Sequence, residues 1–169
     1  MNLDSSIAQM ARHAQAIQGL AQDVTPEQAR WKASPDSWSL LEVINHLYDE
    51  ECEDFRVRLK HILDQIPGLP PPIDPQGWAT ARRYNERDLG DSLAQFVRER
   101  DSSLAWLRTL GTSDWDAGID APFGRITAGD MLAAWVAHDL LHLRQLIELR
   151  YSYHQLTAHP YRIAYAGEW

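Results

Sequence analysis

The chain is predicted to fold as an all-α four-helix bundle, on three observations. Four long segments carry apolar residues at helical spacing, a capping signature stands ahead of the second and fourth, and no stretch alternates convincingly as a strand would. The first segment runs from Asp4 or Ser5 to Ala21, with Ile7, Met10, Ala14, Ile17 and Leu20 on one stripe and His13 off it, in solvent. Thr25-Pro26-Glu27 is an N-cap with proline at the first helical position, so a short helix follows to about Trp31. Ser34-Pro35-Asp36-Ser37 is a turn.

The second long helix starts at Ser39, where Ser39-Leu40-Leu41-Glu42 forms a capping box and Trp38 staples onto Val43, and it continues to about Gln65. Its apolar face is Leu40, Ile44, Leu47, Tyr48, Phe55, Leu59 and Ile62. His46 lies away from that face, and periodicity alone puts it at the surface. Prolines 67, 70, 71, 72 and 75 then prohibit a continuous helix from Ile66 to Asp88. That excursion is either a lid or a packed crossover, with a short helix near Trp78 to Tyr84. The third helix spans Asp88 to Leu110, facing inward with Leu89, Leu93, Phe96, Val97, Leu104 and Leu107, and Gly111 ends it. A turn-rich connection from Ser113 to Arg125 leads to the fourth.

The fourth helix, Thr127 to Leu149, carries the chemistry. Thr127 caps Asp130 and Ile126 staples onto Met131. One stripe reads Met131, Trp135, His138, His142, Gln145, Leu146 and Leu149; a second reads Leu132, Val136, Leu140, Leu143 and Ile147. A helix apolar over most of its circumference is buried, in a bundle core and against a second subunit. His138 and His142 are four apart, so their imidazoles stack one turn apart on the core-facing stripe. That spacing suits two ligands to one metal ion, and equally two hydrogen-bonded core histidines. Asp139 points about 100° away, to a surface or inter-helix contact. A tail rich in Tyr and His, from Ser152 to Trp169, closes the chain.

Composition narrows the function. At 169 residues, 44% hydrophobic and 24% charged, the chain reads as one soluble domain, 1–169. A net charge of −8 and a pI near 5.3, with no basic stripe, argue against nucleic acid as a partner. The single cysteine, Cys52, excludes an internal disulfide and suits a reducing compartment; it reads as a small core residue. The N-terminus carries no signal-peptide pattern and no run reaches membrane-spanning length, so the expected location is the cytoplasm.

Two stretches then resemble a known family. Trp38-Ser39-Leu40-Leu41-Glu42-Val43-Ile44-Asn45-His46-Leu47 is similar to the WSxxEvxxHL signature of DinB-like proteins, within the wider DinB/YfiT-like superfamily. His138-Asp139-Leu140-Leu141-His142-Leu143-Arg144-Gln145 resembles that family's HDxxHxxQ signature; Arg83 to Leu89 and the tail from His159 are similar as well. The resemblance implies a four-helix bundle of the DinB/YfiT-like type, a homodimer, and a divalent metal held by His46, His138 and His142. It is the resemblance, against the periodicity, that turns His46 inward.

Three imidazoles leave coordination positions open and suit Zn²⁺ or Ni²⁺, with Fe²⁺ or Co²⁺ as further options. Glu50, one turn beyond His46, is a candidate base, supporting partner or ligand, or else a solvated surface carboxylate. Gln145 follows His142 by three and would anchor a substrate, a ligand water or the tail. His61 lies too far along its helix to share a metal with His46, while His154 and His159, past the helix end, could fold back as competing ligands. Characterised relatives include transferases that use a low-molecular-weight thiol. The resemblance therefore implies a thiol-dependent S-transferase acting on a small-molecule substrate, with a metal-dependent hydrolase or a non-enzymatic stress-associated binding module as the alternatives. A zincin-like peptidase reading of His138 to His142 is weak, because Asp139 stands where the glutamate base belongs.

Overall fold

A computed structural model describes residues 2–122 and 124–167. Helix α1 (Leu3–Ala21) is capped by Asn2, and α2 (Pro26–Arg30) by Thr25 with Pro26 in its first turn. The second long segment is two helices, α3 (Leu40–Glu53) and α4 (Phe55–Leu63). After the proline-rich excursion come α5 (Pro75–Ala81), a 3-10 turn at Tyr84–Glu86 and α6 (Leu89–Leu107). A hairpin of β1 (Gly118–Ala121) and β2 (Gly124–Thr127) leads into α7 (Ala128–Thr157). Four rods make the bundle: α3 lies on α6, α1 on both α6 and α7, and α4 on α7. No helix among the described residues is long and apolar enough to cross a membrane.

Both expected capping boxes form. The Ser39 side chain accepts from Glu42 N (3.1 Å) while Glu42 Oε2 accepts from Ser39 N (2.7 Å), and Thr127 and Asp130 exchange the same pair. Four expectations change. Asp54 leaves helical geometry (φ −116°, ψ −93°) and divides the second rod, although Asp54 N still donates to Glu50 O (3.2 Å) and Arg58 N to Asp54 O (2.8 Å). Its carboxylate accepts from the Arg58 guanidinium one turn ahead, a side-chain pair that hydrophobic periodicity does not register. The connection before α7 holds an antiparallel hairpin, with Ile119 opposite Ile126. Four-residue strands containing Gly118 and Gly124 are too short to show a two-residue period, and Gly124 has φ +123°, where glycine is favoured.

Helix α7 runs two turns beyond Leu149, because Arg150 Nη1 donates to Leu20 O (2.8 Å) and Tyr153 meets Trp31 edge-on at 5.6 Å, so His154 is helical. The excursion's helix begins earlier than expected, at Pro75, where the Asp74 side chain accepts from Gly77 N (3.0 Å). The excursion is a packed crossover. Buried Tyr84 donates to Asp49, Arg82 pairs with Asp49 (2.7 Å), and Arg87 donates to Asn45 Oδ1 (2.8 Å), all on α3. Of the expected tail, Glu168 and Trp169 lie outside the described residues.

The core has two apolar clusters with a polar layer between them. One gathers Met10, Phe55, Leu59, Leu104, Leu107, Leu132 and Trp135; the other gathers Ile17, Leu40, Ile44, Leu47, Phe96 and Leu146. On every rod the residues between the clusters are polar: His13 on α1, Glu50 and Glu51 on α3, Arg100 on α6, and His138, Asp139 and His142 on α7. A polar layer inside a bundle stands only where its members satisfy one another or hold a ligand.

Candidate metal centre

The Ser39 cap fixes where α3 begins, and His46 follows two turns later, 5% exposed and facing α7. His138 and His142 are half-buried on the facing side of α7. His46 Nε2 lies 3.3 Å from His138 Nε2, which lies 3.1 Å from His142 Nε2. One ligand atom from each of the three residues falls within 4.8 Å of the others, so together they could hold a metal ion. The Trp38 ring covers His46 at 4.8 Å and the Phe55 ring covers His138 at 4.9 Å.

Burial first, and the neighbouring imidazoles second, hold the His46 pKa down at about 2. Burial first, then His142, takes His138 to about 3, and burial lowers His142 as well. All three rings are therefore neutral at pH 7, the form that ligates metal. Gln145 Oε1 accepts from His142 Nδ1 at 2.8 Å, which leaves the His142 Nε2 lone pair bare and aimed at the cluster. His46 Nδ1 is buried without a hydrogen-bond partner, and so is Glu50 Oε1, 3.8 Å away. Both close contacts in the cluster converge on His138 Nε2, and a neutral ring can supply at most one proton there. With the His142 Nε2 lone pair also turned inward, at most one of the two contacts is a linear hydrogen bond, and a cation among the three nitrogens satisfies both. Tetrahedral metal–nitrogen bonds of ~2.0–2.1 Å imply nitrogen separations of about 3.3 Å, and the two observed separations match. The donor set fits a divalent metal.

Glu50 is buried at 4% exposure, so the solvated alternative does not hold. Burial, followed by a hydrogen bond and charge repulsion from Asp54, pushes its carboxyl up to about 9. Gln145 anchors His142 rather than the tail. The remaining histidines stay outside the cluster: His61 bonds Gly68 O (2.8 Å), and His154 and His159 are exposed. Cys52 is half-buried and lines a cavity of about 570 Å³ with Glu53, Val57 and Trp78; it is not a core residue.

One further expectation is corrected beside the histidines. His13 is not solvated; its Nδ1 lies 3.3 Å from Asp139 Oδ2. Of the two options for Asp139 the structure shows the inter-helix one: the residue is fully buried, gripped by Arg100 of α6 through Nη1–Oδ2 (2.6 Å) and Nη2–Oδ1 (2.7 Å). Burial pushes the Asp139 carboxyl up, but hydrogen bonds from His13 and Arg100 outweigh it and hold it below the usual carboxylate range. The same guanidinium donates through Nε to Glu51 Oε1 (2.8 Å), which also accepts from Trp135 Nε1 (2.9 Å). Glu51 and Arg100 were missed from the sequence, although a signal existed. Each sits four residues from an apolar neighbour on either side, Glu51 between Leu47 and Phe55 and Arg100 between Phe96 and Leu104. A charge in the middle of a buried stripe needs a buried partner.

A four-rod bundle with three histidines converging between two of its rods describes a class of helical protein with a candidate metal centre. The chain belongs to the DinB superfamily, whose family model matches residues 9–146. Its fold is similar to that of YfiT from Bacillus subtilis, described as a probable metal-dependent hydrolase with an unusual four-helix bundle topology. That likeness has a TM-score of 0.75 and 24% identity, and covers 87% of this chain and 85% of YfiT. Among curated proteins, none matches the chain.

Proposed function

We propose that His46, His138 and His142 hold one divalent transition metal ion, Zn²⁺ or Ni²⁺ before Fe²⁺ or Co²⁺. On this reading the protein is a metal-dependent enzyme that joins a low-molecular-weight thiol to a small electrophile. The observation that carries the metal reading is the convergence of three neutral imidazoles, one buried and two half-buried, whose contacts cannot all be hydrogen bonds. The thiol rests on the family resemblance. When bound, the ion supplies Lewis acidity, which favours the thiolate of a coordinated thiol over the thiol. Gln145 holds the His142 ring with its Nε2 inward, and Glu50 Oε1, 3.8 Å from His46 Nδ1, is the acceptor that would close on that nitrogen to give the support metal-bound histidines need. Trp38 and Phe55 keep water from two of the rings.

Hydrolysis is the second reading, favoured by the carboxyl of Glu50 beside the cluster and by the description of YfiT. It differs in the nucleophile alone, water in place of thiol. We also propose that the protein is a cytoplasmic homodimer. Free Cys52 supports a reducing compartment, and Leu140, Leu141 and Ile147, each at least 40% exposed on the outer face of α7, support a subunit contact there.

The test is elemental analysis of protein purified without chelators or affinity-tag metals, beside His46→Ala. One metal per chain is expected in the natural protein, and far less in the variant. Full loading of His46→Ala would overturn the ligand set. The loaded protein is then given an electrophile with and without thiol, and a panel of esters and amides with water alone. Turnover that needs the thiol is expected; turnover of the panel without it would move the assignment to the hydrolase.

A further inference from the structure

The ion cluster beside the histidines ties together the two rods that carry them. Glu51 lies on α3, five residues after His46, and Asp139 is the residue next to His138 on α7. Arg100, on α6, is 1% exposed and grips both carboxylates, with a fork on Asp139 and Nε on Glu51. Its Nη1 also donates to Met10 O of α1 at 3.2 Å, and Trp135 of α7 donates to the same Glu51 oxygen that Arg100 holds. One guanidinium thus reaches all four rods of the bundle at the height of the histidines.

We infer that Arg100 is a positioning residue for the His46, His138 and His142 cluster, fixing the rotation of α3 and α7 so that the three Nε2 atoms meet. The inference rests on the metal reading above. Apolar side chains leave a helix free to rotate a little about its axis, because dispersion contacts carry no direction. A bidentate ion pair does not, since both nitrogens must keep both oxygens. A rotation of about 20° moves a ring nitrogen held about 6 Å from the axis by about 2 Å. Ligand distances tolerate about 0.2 Å. Three histidines shared between two helices therefore need a directional lock, and this one lies a single residue from one ligand and five from another. Glu51 Oε2, buried without a partner, shows that the cluster keeps a carboxylate there at a cost in solvation.

Arg100→Lys keeps the charge and loses the fork. Its partner for comparison is Ile17→Ala, a cavity in the second apolar cluster at a residue that makes none of the network's hydrogen bonds or ion pairs given above. Each is brought to a temperature at which circular dichroism reports the full helical signal. Zn²⁺ affinity is then read by competition with a chromophoric chelator, and ligand geometry by the visible spectrum of the Co²⁺ form. Arg100→Lys is expected to bind Zn²⁺ at least tenfold more weakly with an altered Co²⁺ spectrum, while Ile17→Ala keeps both. Natural affinity in Arg100→Lys, or an equal loss in Ile17→Ala, would overturn the inference.

Long-range ¹H–¹⁵N spectra of the metal-free protein separate this outcome from failure of the metal reading. The natural chain should show His142 with its proton on Nδ1, and Arg100→Lys a mixture of ring states. If the natural chain takes up no metal, the metal reading falls and these spectra alone decide the role of Arg100, unchanged rings counting against it. Should Arg100→Lys not fold, Asp139→Asn, which breaks the same fork, is read in the same way.

Discussion

Gln145 and Cys52 show how differently two side chains near one centre behave. Gln145 has one job in this geometry, accepting the Nδ1 proton of His142 at 2.8 Å. Gln145→Leu removes the acceptor without adding charge, so the ring is free to turn or to change tautomer. Loss of such a supporting partner lowers metal affinity by about 10- to 100-fold, and a chelator competition on the folded variant measures it. Cys52 is held the other way. Burial first, and then the charge of Glu99, push its thiol up to about 11 from an ordinary 9.0. At pH 8 the folded protein thus holds about 100-fold less thiolate at Cys52 than the unfolded chain, and iodoacetamide labelling should be slower by a similar factor. The raised value also fixes the sign of its stability effect. The contribution is complete below pH 9 and declines toward pH 11, as the unfolded chain loses the proton first. Labelling of the native protein at the unfolded rate at pH 8 would contradict this. In a thiol-dependent reaction the nucleophilic sulfur must then come from the cosubstrate. Residue by residue, the sequence exposed the His138 and His142 pair because both lie on one helix. His46 was legible only through its motif, since periodicity gave it to solvent and its burial is created by α7 and Trp38.

At the scale of the element, the start of α3 does the most to place His46. Ser39 is fully buried, accepts from Glu42 N and donates to Asn85 Oδ1 at 2.6 Å, so it closes the helix end and pins the proline-rich crossover together. Ser39→Ala removes both bonds. A lost N-cap costs about 1–2 kcal/mol, which for a chain of this size lowers the melting temperature by roughly 3–8 °C. A thermal melt by circular dichroism reads it, and a shift under 1 °C would mean the cap is not used. The capping boxes of α3 and α7 were plain in the sequence because their partners are three residues apart and need nothing else from the fold. The break at Asp54, the hairpin and the last two turns of α7 were not. The last two turns of α7 depend on a distant contact, Arg150 with Leu20, and the hairpin on strands too short to show a period. The break at Asp54 is one residue wide and leaves the apolar spacing around it intact.

At the scale of the molecule, the outer face of α7 remains apolar after the bundle has closed. Leu140 and Leu141 are 51% and 58% exposed and Ile147 is 40% exposed, although each belongs to a helix that reads as apolar nearly all round. The sequence could not separate the apolar residues of α7 that the bundle buries from those it leaves out, because periodicity reports that a face is apolar and not what covers it. Leu132 and Leu146 are fully buried against the other rods, whereas Leu140 and Leu141 stand opposite, one residue either side of the direction that carries no ligand. Leaving such a face in water is unfavourable by about 25 cal/mol per Å² of apolar surface, which a symmetric contact between two copies recovers. If α7 pairs with its counterpart, Leu141→Glu places two like charges close to the contact, while the histidines, on the inward side of the same helix, keep their neighbours. The expected result is a monomer by light scattering after size exclusion, from a natural chain that elutes as a dimer, with metal content unchanged at one per chain. A variant that stays dimeric would move the contact off α7, and a variant that turns monomeric and also loses its metal would mean that the second copy helps to hold the inner face of α7 in place.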